Sequence, residues 1–209
     1  MHNKGLLIVI SGPSGAGKGT IIKELIKKGK FWLSVSATTR APRNGEIDGK
    51  SYYFLTREQF EERLRLNDFL EHAEVYGNFY GTPKSNVMER IDNGEDVILE
   101  IDIQGALKVK EAYPEGVFIF ILPPSMEELK KRIIKRGSET TESLMTRFKS
   151  AYKEINYVSK YNYAVTNDTV EVAAEKIESI LVAERCRVDR LKDHILDSKE
   201  GIIHEQLYD

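Results

Sequence analysis

Nine consecutive residues carry the densest chemistry in this chain: Gly12-Pro13-Ser14-Gly15-Ala16-Gly17-Lys18-Gly19-Thr20. Glycines at 12, 15 and 17 let a backbone fold back on itself and aim successive N–H groups inward. Lys18 adds a flexible point charge able to reach the outer phosphates of a nucleotide, and the hydroxyl of Thr20 follows closely. Such a loop cradles a polyphosphate only if a strand delivers it and a helix N-terminus receives it. The apolar run Leu6–Ile10 supplies the strand, and Ile21, Ile22, Leu25 and Ile26 have the spacing of a helix. These residues therefore predict a phosphate-binding P-loop.

The loop departs from the commonest P-loop pattern in one place. Gly19, not Ser or Thr, follows Lys18. Gly-Lys-Gly-Thr resembles the loop of the nucleoside monophosphate kinases, and it leaves no hydroxyl beside Lys18 to ligate a metal. A Mg²⁺ ion arriving with ATP is therefore expected to be held through phosphates and water rather than by direct protein ligation, with Glu100 as an acceptor for that water.

Composition bounds the remaining choices. With 31 Lys and Arg against 33 Asp and Glu, and no long basic block, a broad nucleic-acid surface is not expected, so a local cluster of cations must meet any anionic substrate. Cys186 is the single cysteine, which excludes an internal disulfide or a multi-cysteine zinc site. His2, His72, His194 and His204 are too scattered to suggest a metal centre on their own. No apolar run approaches the roughly 18 residues of a membrane span, and the short polar start reads as lacking a signal peptide. A cytoplasmic protein without membrane association is expected.

The cations appear where α/β sheets hold ligands. Leu33–Ser36 reads as a strand running into a loop that carries Arg40 and Arg43 on either side of Pro42. Two guanidinium groups three residues apart can grip one phosphate from two sides. Between residues 46 and 95 the texture changes, with aromatic strands at Ser51–Phe54 and Phe69–Tyr76, a capping box Thr56-x-x-Gln59 opening a helix over Arg57–Asn67, and a turn-rich aromatic segment Gly77–Pro83. A helix through Val87, Met88 and Ile91 stops at Asn93-Gly94. This pattern predicts a small sheet inserted into an α/β core.

The ordered segments Ser34–Arg43, Gly45-Glu46 through Gly49 to Tyr52, Phe69-Leu70-Glu71 and Gly77–Thr82 resemble those of the guanylate kinases, and the resemblance extends to about residue 185. It implies an α/β fold: a P-loop parallel sheet core flanked by helices, an inserted small mixed sheet that binds GMP, and a helical lid. The core is expected over about 1–35, 96–124 and 159–190, the insertion over about 36–95 and the lid over about 125–158. The resemblance assigns Arg40, Arg43, Tyr52 and Tyr80 to the GMP phosphate, and Ser36, Glu71, Thr82 and Asp102 to the guanine end. Independent chemistry agrees on Glu71, because guanine presents N1–H and an exocyclic NH₂ side by side, two donors for one carboxylate. Adenine offers a lone pair there instead.

Asp96–Asp102 reads as a buried strand that puts Glu100 and Asp102 on one face at its end. Gly116–Leu122 has the continuous apolar character of a central parallel strand. After Pro123-Pro124, Ser125-x-x-Glu128 caps a helix carrying Arg132 and, one turn on, Arg136. A polar linker over Ser138–Ser143 leads to a helix with Leu144, Phe148, Ala151, Ile155 and Val158 on its buried stripe and Arg147 beside it. Three arginines on a segment that closes over the nucleotides suit phosphoryl transfer, in which charge spreads over the equatorial oxygens. Tyr163–Asn167 reads as the last strand, with Asn167 placed either to contact the adenine of ATP or to turn the chain, and Asp168-x-x-Glu171 opens the final helix. The charged tail beyond about Val188 extends that helix or makes a subunit contact, which leaves a homo-oligomer open.

The expected reaction is ATP-dependent phosphorylation of GMP to GDP, with ATP and GMP as small-molecule partners and Mg²⁺ as cofactor. The expected catalytic set is Lys18, Arg132, Arg136 and Arg147 acting on the transferring group, with Arg40 beside Arg43 holding the acceptor. Two alternatives stand beside it. A sister monophosphate kinase would lack the Glu71–Thr82 match to guanine, and a non-catalytic guanylate-kinase-like binding module would have a degraded P-loop.

Overall fold

The computed structural model describes residues 4–75, 77–135 and 141–191, with side chains at all of these except 135 and 141–147. The apolar run after Gly5 forms β1 (Leu7–Ser11), buried along its whole length. It is flanked by β7 (Asp96–Glu100) and β8 (Val117–Leu122), and β2 (Phe31–Leu33) and β9 (Tyr163–Thr166) complete a five-stranded parallel sheet in the order β2-β7-β1-β8-β9. Pairing is in register from Leu7↔Val97 to Ile10↔Glu100 and from Ile8↔Val117 to Ser11↔Phe120.

Strand alternation sends the β1 side chains to two separate cores. Ile8 and Ile10 pack with Ile21, Ile22 and Leu25 of α1 (Lys18–Lys27) and with Ile177 and Leu181 of α7 (Val170–Arg185). On the opposite face Leu7 and Val9 meet Val87 and Ile91 of α3 (Lys84–Asp92) and Ala106 and Val109 of α4 (Ile103–Ala112). A sheet covered on both sides explains why β8 carries no polar alternation.

A second sheet, in the order β4-β3-β6-β5, is built from β3 (Ala37–Thr38), β4 (Tyr53–Phe54), β5 (Phe69–Val75) and β6 (Asn78–Pro83). It is mixed: β3 runs parallel to β4 and antiparallel to β6. Phe60 of α2 (Arg57–Arg65) is fully buried and stacks on Phe69 at 4.4 Å and on Phe79 at 5.3 Å. The capping box is formed, with Thr56 Oγ1 accepting from the Gln59 N–H and Gln59 Oε1 accepting from the Thr56 N–H.

Several elements differ from the sequence reading. Of the strand expected over Leu33–Ser36 only Leu33 is strand, the last residue of β2, and the next strand, β3, begins beyond that range at Ala37 in the other sheet. The segment expected as a turn at Gly77–Pro83 is largely strand β6, because β5 offers it an antiparallel partner from Val75↔Asn78 to Glu71↔Thr82. Helix α4 was not anticipated, and Asp102 is its N-cap, accepting from the Gly105 N–H. Thr169 rather than Asp168 caps α7 through its bond from the Val172 N–H. At α5 (Met126–Lys135), Ser125 caps the Glu128 N–H as expected. Helix α6 (Thr141–Ile155) takes in the end of the expected linker, whose first part lies outside the described residues, and gives way to a 3₁₀ turn at Asn156–Lys160. Leu144 and Tyr76 lie outside the described side chains. No helix among the described residues is long and apolar enough to cross a membrane.

One buried acid ties the amino edge of this assembly together. Asp96, 8% exposed, accepts the Leu6 N–H at 2.9 Å and a bond from Arg185 at the end of α7. Replacing Asp96 by Ala leaves that buried N–H without an acceptor, and is expected to cost about 2–3 kcal/mol of stability in urea denaturation, with Asp96→Asn recovering part of it through the retained oxygen.

Candidate active site

The parallel order carries the carboxyl ends of β1, β7, β8 and β9 to one edge, and the candidate residues stand along it. The turn from Gly12 to Gly17 has the backbone a P-loop needs. Gly12 has φ +139°, and a side chain there would lie 2.4 Å from the Ile121 carbonyl oxygen. Gly17, at φ +93°, is the N-cap of α1. Lys18 Nζ donates to the carbonyls of Gly12 at 2.6 Å and Pro13 at 3.2 Å, which curls its ammonium back across the turn. Ala16 is fully buried beneath it.

Asn167, only 3% exposed, donates from Nδ2 to the Ala16 carbonyl at 2.7 Å. Its side chain thus braces the P-loop from the end of β9, and a Cβ on residue 17 would meet that amide nitrogen at 2.3 Å. Asn167 also lines a cleft of about 430 Å³ with Gly15, Gly17, Thr20, Arg132 and the first residues of the α7 turn. Arg132 donates from Nε to Glu128 Oε1 at 3.0 Å, so the acid expected in a capping box orients an arginine instead. Arg136 lies outside the described residues, and the side chain of Arg147, on α6, does too.

A second cleft, of about 480 Å³, opens on the other side of the loop. Gly12, Ser14 and Lys18 line it together with Tyr52 of the inserted segment, Glu100 and Asp102 at the end of β7, and Glu154 of α6. The carboxylate oxygens of Glu100 lie 3.4 and 3.6 Å from where a Cβ on Gly19 would stand. That is the space beside Lys18 in which a hydroxyl residue would otherwise sit. Among the described residues no three His, Cys, Asp or Glu are grouped to hold a metal ion.

The expected phosphate-binding groups of the inserted sheet come together. The Arg40 guanidinium lies 5.5 Å from the Tyr52 ring centroid, and the Tyr52 and Tyr80 rings meet edge-on at 6.0 Å. Arg40 donates to Ala41 O at 2.7 Å and to both oxygens of Glu46 at 2.9 and 3.0 Å. Arg43 follows on the exposed side of the same loop, its backbone N–H bonded to Glu46 at 2.7 Å. Glu46 belongs to the sequence pattern but was not singled out, and nothing in its spacing marks it as the common acceptor for both segments.

The base-reading candidates also converge. The register pairs Glu71 with Thr82 across β5 and β6, and Thr82 Oγ1 donates to Glu71 Oε1 at 2.8 Å. The other Glu71 oxygen and Asp102 Oδ1 lie 3.3 and 3.4 Å from a Cβ position on Gly105, so two carboxylates approach the same turn of α4. Burial pushes the Glu71 carboxyl above the ordinary glutamate range and Asp102 adds to the rise, against the opposing pull of the Thr82 hydrogen bond and the Lys108 charge. Ser36 lies in the crossing between the two sheets, where its carbonyl accepts the Tyr53 N–H at 2.9 Å.

Comparison with known proteins places this geometry. The guanylate kinase family model matches residues 4–184. A guanylate kinase of Clostridium acetobutylicum is 77% identical over 209 residues, covering 100% of both chains, and one of Clostridium tetani is 76% identical over 206 residues, covering 99% of each. The crystal structure of guanylate kinase from Anaplasma phagocytophilum superposes with a TM-score of 0.73 at 38% identity, covering 95% of this chain and 97% of that one. A family match that runs nearly from end to end, with relatives this similar over their whole lengths, means that the chain belongs to the guanylate kinase family.

Proposed function

We propose that this chain transfers the γ-phosphoryl group of ATP to GMP, giving ADP and GDP. The observation that carries the choice of acceptor is the Thr82–Glu71 hydrogen bond beside Asp102. Thr82 orients one Glu71 oxygen, and the carboxylate then offers acceptors to the adjacent N1–H and NH₂ donors of guanine. A base with a lone pair at that position would leave the half-buried Glu71 carboxylate without a partner, a mismatch that discriminates between bases.

In this reading the P-loop and the Asn167 cleft take ATP, and the inserted segment, about 36–95, takes GMP. An oxygen of the GMP phosphate attacks the γ-phosphorus in line, and the bond to the β,γ-bridging oxygen breaks to release ADP. The second phosphate pKa is about 6, so the nucleophile is already largely ionised near neutrality and no general base is required. Lys18 exchanges its bonds to the loop carbonyls for phosphate oxygens. Arg40, Arg43, Tyr52 and Tyr80 hold the acceptor phosphate, and Ser36, Thr82, Glu71 and Asp102 hold the base.

The segment of about 125–158 acts as the lid, bringing Arg132, with Arg136 and Arg147, onto the transferring group. Mg²⁺ bound with ATP would neutralise the β- and γ-phosphate oxygens. Glu100, in the lining of the Lys18 cleft and beside a Gly19 that has no hydroxyl, suits the holding of its water shell. A cytoplasmic setting is part of the same proposal.

A coupled assay presenting GMP, AMP, UMP and CMP separately tests the reaction. Turnover is expected with GMP; preference for another base overturns the acceptor, and a folded protein inactive with all four overturns the activity. Lys18→Ala is expected to lower kcat by roughly 10²–10³-fold with a smaller change in KM for GMP. Glu71→Gln is expected to reduce kcat/KM for GMP about 10–100-fold near neutral pH.

The pH dependence has a definite sign. Both Glu71 oxygens act as acceptors only when the carboxyl is ionised, and it titrates above the usual range. Acidification through that range therefore weakens the wild type but not a Gln variant. The wild-type advantage in kcat/KM over Glu71→Gln should narrow as the pH falls, and this ratio is independent of GMP's own titration.

A further inference from the structure

We propose that Glu46 is a positioning residue for phosphoryl-acceptor binding, holding Arg40 and the Arg43 segment in the arrangement that receives the GMP phosphate. The inference rests on the assignment of Arg40 and Arg43 to that phosphate. One carboxylate serves both. Its two oxygens accept from a single terminal nitrogen of Arg40 at 2.9 and 3.0 Å, and one of them also accepts the Arg43 N–H at 2.7 Å. The Glu46 N–H in turn donates to the Arg43 carbonyl at 3.1 Å, closing the turn that brings the acid back under Arg40.

This is not an ordinary surface ion pair. The Arg40 and Glu46 side chains are 15% and 22% exposed, whereas fully solvated pairs seldom fix a geometry. The other terminal nitrogen of Arg40 is occupied by the Ala41 carbonyl. Nε is left buried without an acceptor, a donor that a phosphate oxygen can satisfy. The Arg40 charge near the Tyr52 ring, with Tyr80 alongside, completes a pocket whose cation is already in place.

Arginine has many rotamers, and freezing it when ligand arrives weakens binding. Glu46 does the freezing beforehand. It also carries a negative charge next to a dianion, so an opposite role is conceivable physically: a competitor that must be displaced. The two roles give opposite signs. The hydrogen bonds to Arg40, first, and to the Arg43 backbone hold the Glu46 carboxyl below the ordinary glutamate range.

The test is steady-state kinetics of Glu46→Gln, Arg40→Gln and the double variant, with KM measured separately for GMP and ATP and folding checked by urea denaturation. Glu46→Gln is expected to raise KM for GMP about 10-fold or more while KM for ATP stays within about twofold. In the Arg40→Gln background the same change should add less than in the wild type, because one of its two partners is gone and only the Arg43 N–H remains. A KM for GMP that falls or stays unchanged in folded Glu46→Gln overturns the proposal, as does a parallel rise for both substrates or full additivity with Arg40→Gln. Should Glu46→Gln fail to fold, Glu46→Asp, which keeps the charge but retracts it, is expected to shift KM for GMP in the same direction by less, and no shift overturns the proposal. Arg40→Gln alone separates the underlying reading: if it leaves KM for GMP unchanged, the assignment of the phosphate site fails and the role of Glu46 falls with it.

Discussion

The parallel register that pairs Ile10 with Glu100 and Ser11 with Phe120 decides where every group at the P-loop edge can stand. Because all five strands run the same way, their carboxyl ends lie on one edge, and backbone groups that leave the ladder there need new partners. The P-loop supplies them locally: the Ala16 N–H bonds to Pro13 O, the N–H groups of Thr20 and Ile21 bond to Gly17 O, and the Ala16 carbonyl is met by Asn167 from β9. A loop closed this way is stiff before any phosphate arrives, so little ordering remains to be done on binding.

The inserted sheet obeys a different constraint. Its apolar core is small, with Ala37, Phe60 and Phe69 the buried members and Phe79 packed against them, and its strands are short. Such a sheet holds its shape through aromatic stacking and backbone pairing more than through buried volume. The side chains proposed to bind GMP sit on the long β5–β6 ladder, where Glu71 and Thr82 are direct partners, and in the loop that Glu46 ties down. On the core side, α5 packs Leu129 and Ile133 within van der Waals reach of Gly15, so Arg132 approaches the P-loop on a helix already seated against it.

The parts legible in the sequence were those set by short-range rules. The P-loop, the continuous apolar strand β8, the capping box at Thr56, the Ser125 cap and the glycine stop after α3 depend on residues within a turn of one another. What escaped depends on partners distant in the chain. Leu33 reads as the start of a strand until its pairing with β7 makes it the end of one, and Ala37, read as loop, is claimed by β6. Gly77–Pro83 reads as turn because glycine and proline dominate it, yet the β5 ladder overrides that propensity. Among the site residues, Glu71, Thr82 and Asp102 were reached through the family resemblance together with guanine's donor pattern. Glu46 had no comparable signal, since its role exists only when six residues of loop fold back on Arg40.

The division of the proposed base-reading groups between the inserted sheet and the core has a mechanistic consequence. Glu71 and Thr82 belong to the inserted sheet, whereas Asp102 caps α4 on the core, and the two acids meet beside Gly105. A guanine that engages both acids ties the inserted sheet to the core that holds the P-loop. Tyr52, which lies beside Arg40, lines the same cleft as Lys18, so the acceptor phosphate and the P-loop share one space. In the proposed reading, recognition of the base would thereby set the distance over which the phosphoryl group must travel. A wrong base loses more than its own hydrogen bonds, because it also fails to fix the acceptor oxygen in line with the donor, and near-attack geometry is where much of a phosphoryl-transfer rate resides. Specificity in this arrangement should be expressed in turnover as well as in affinity, because the contacts that identify guanine also position the reacting oxygen.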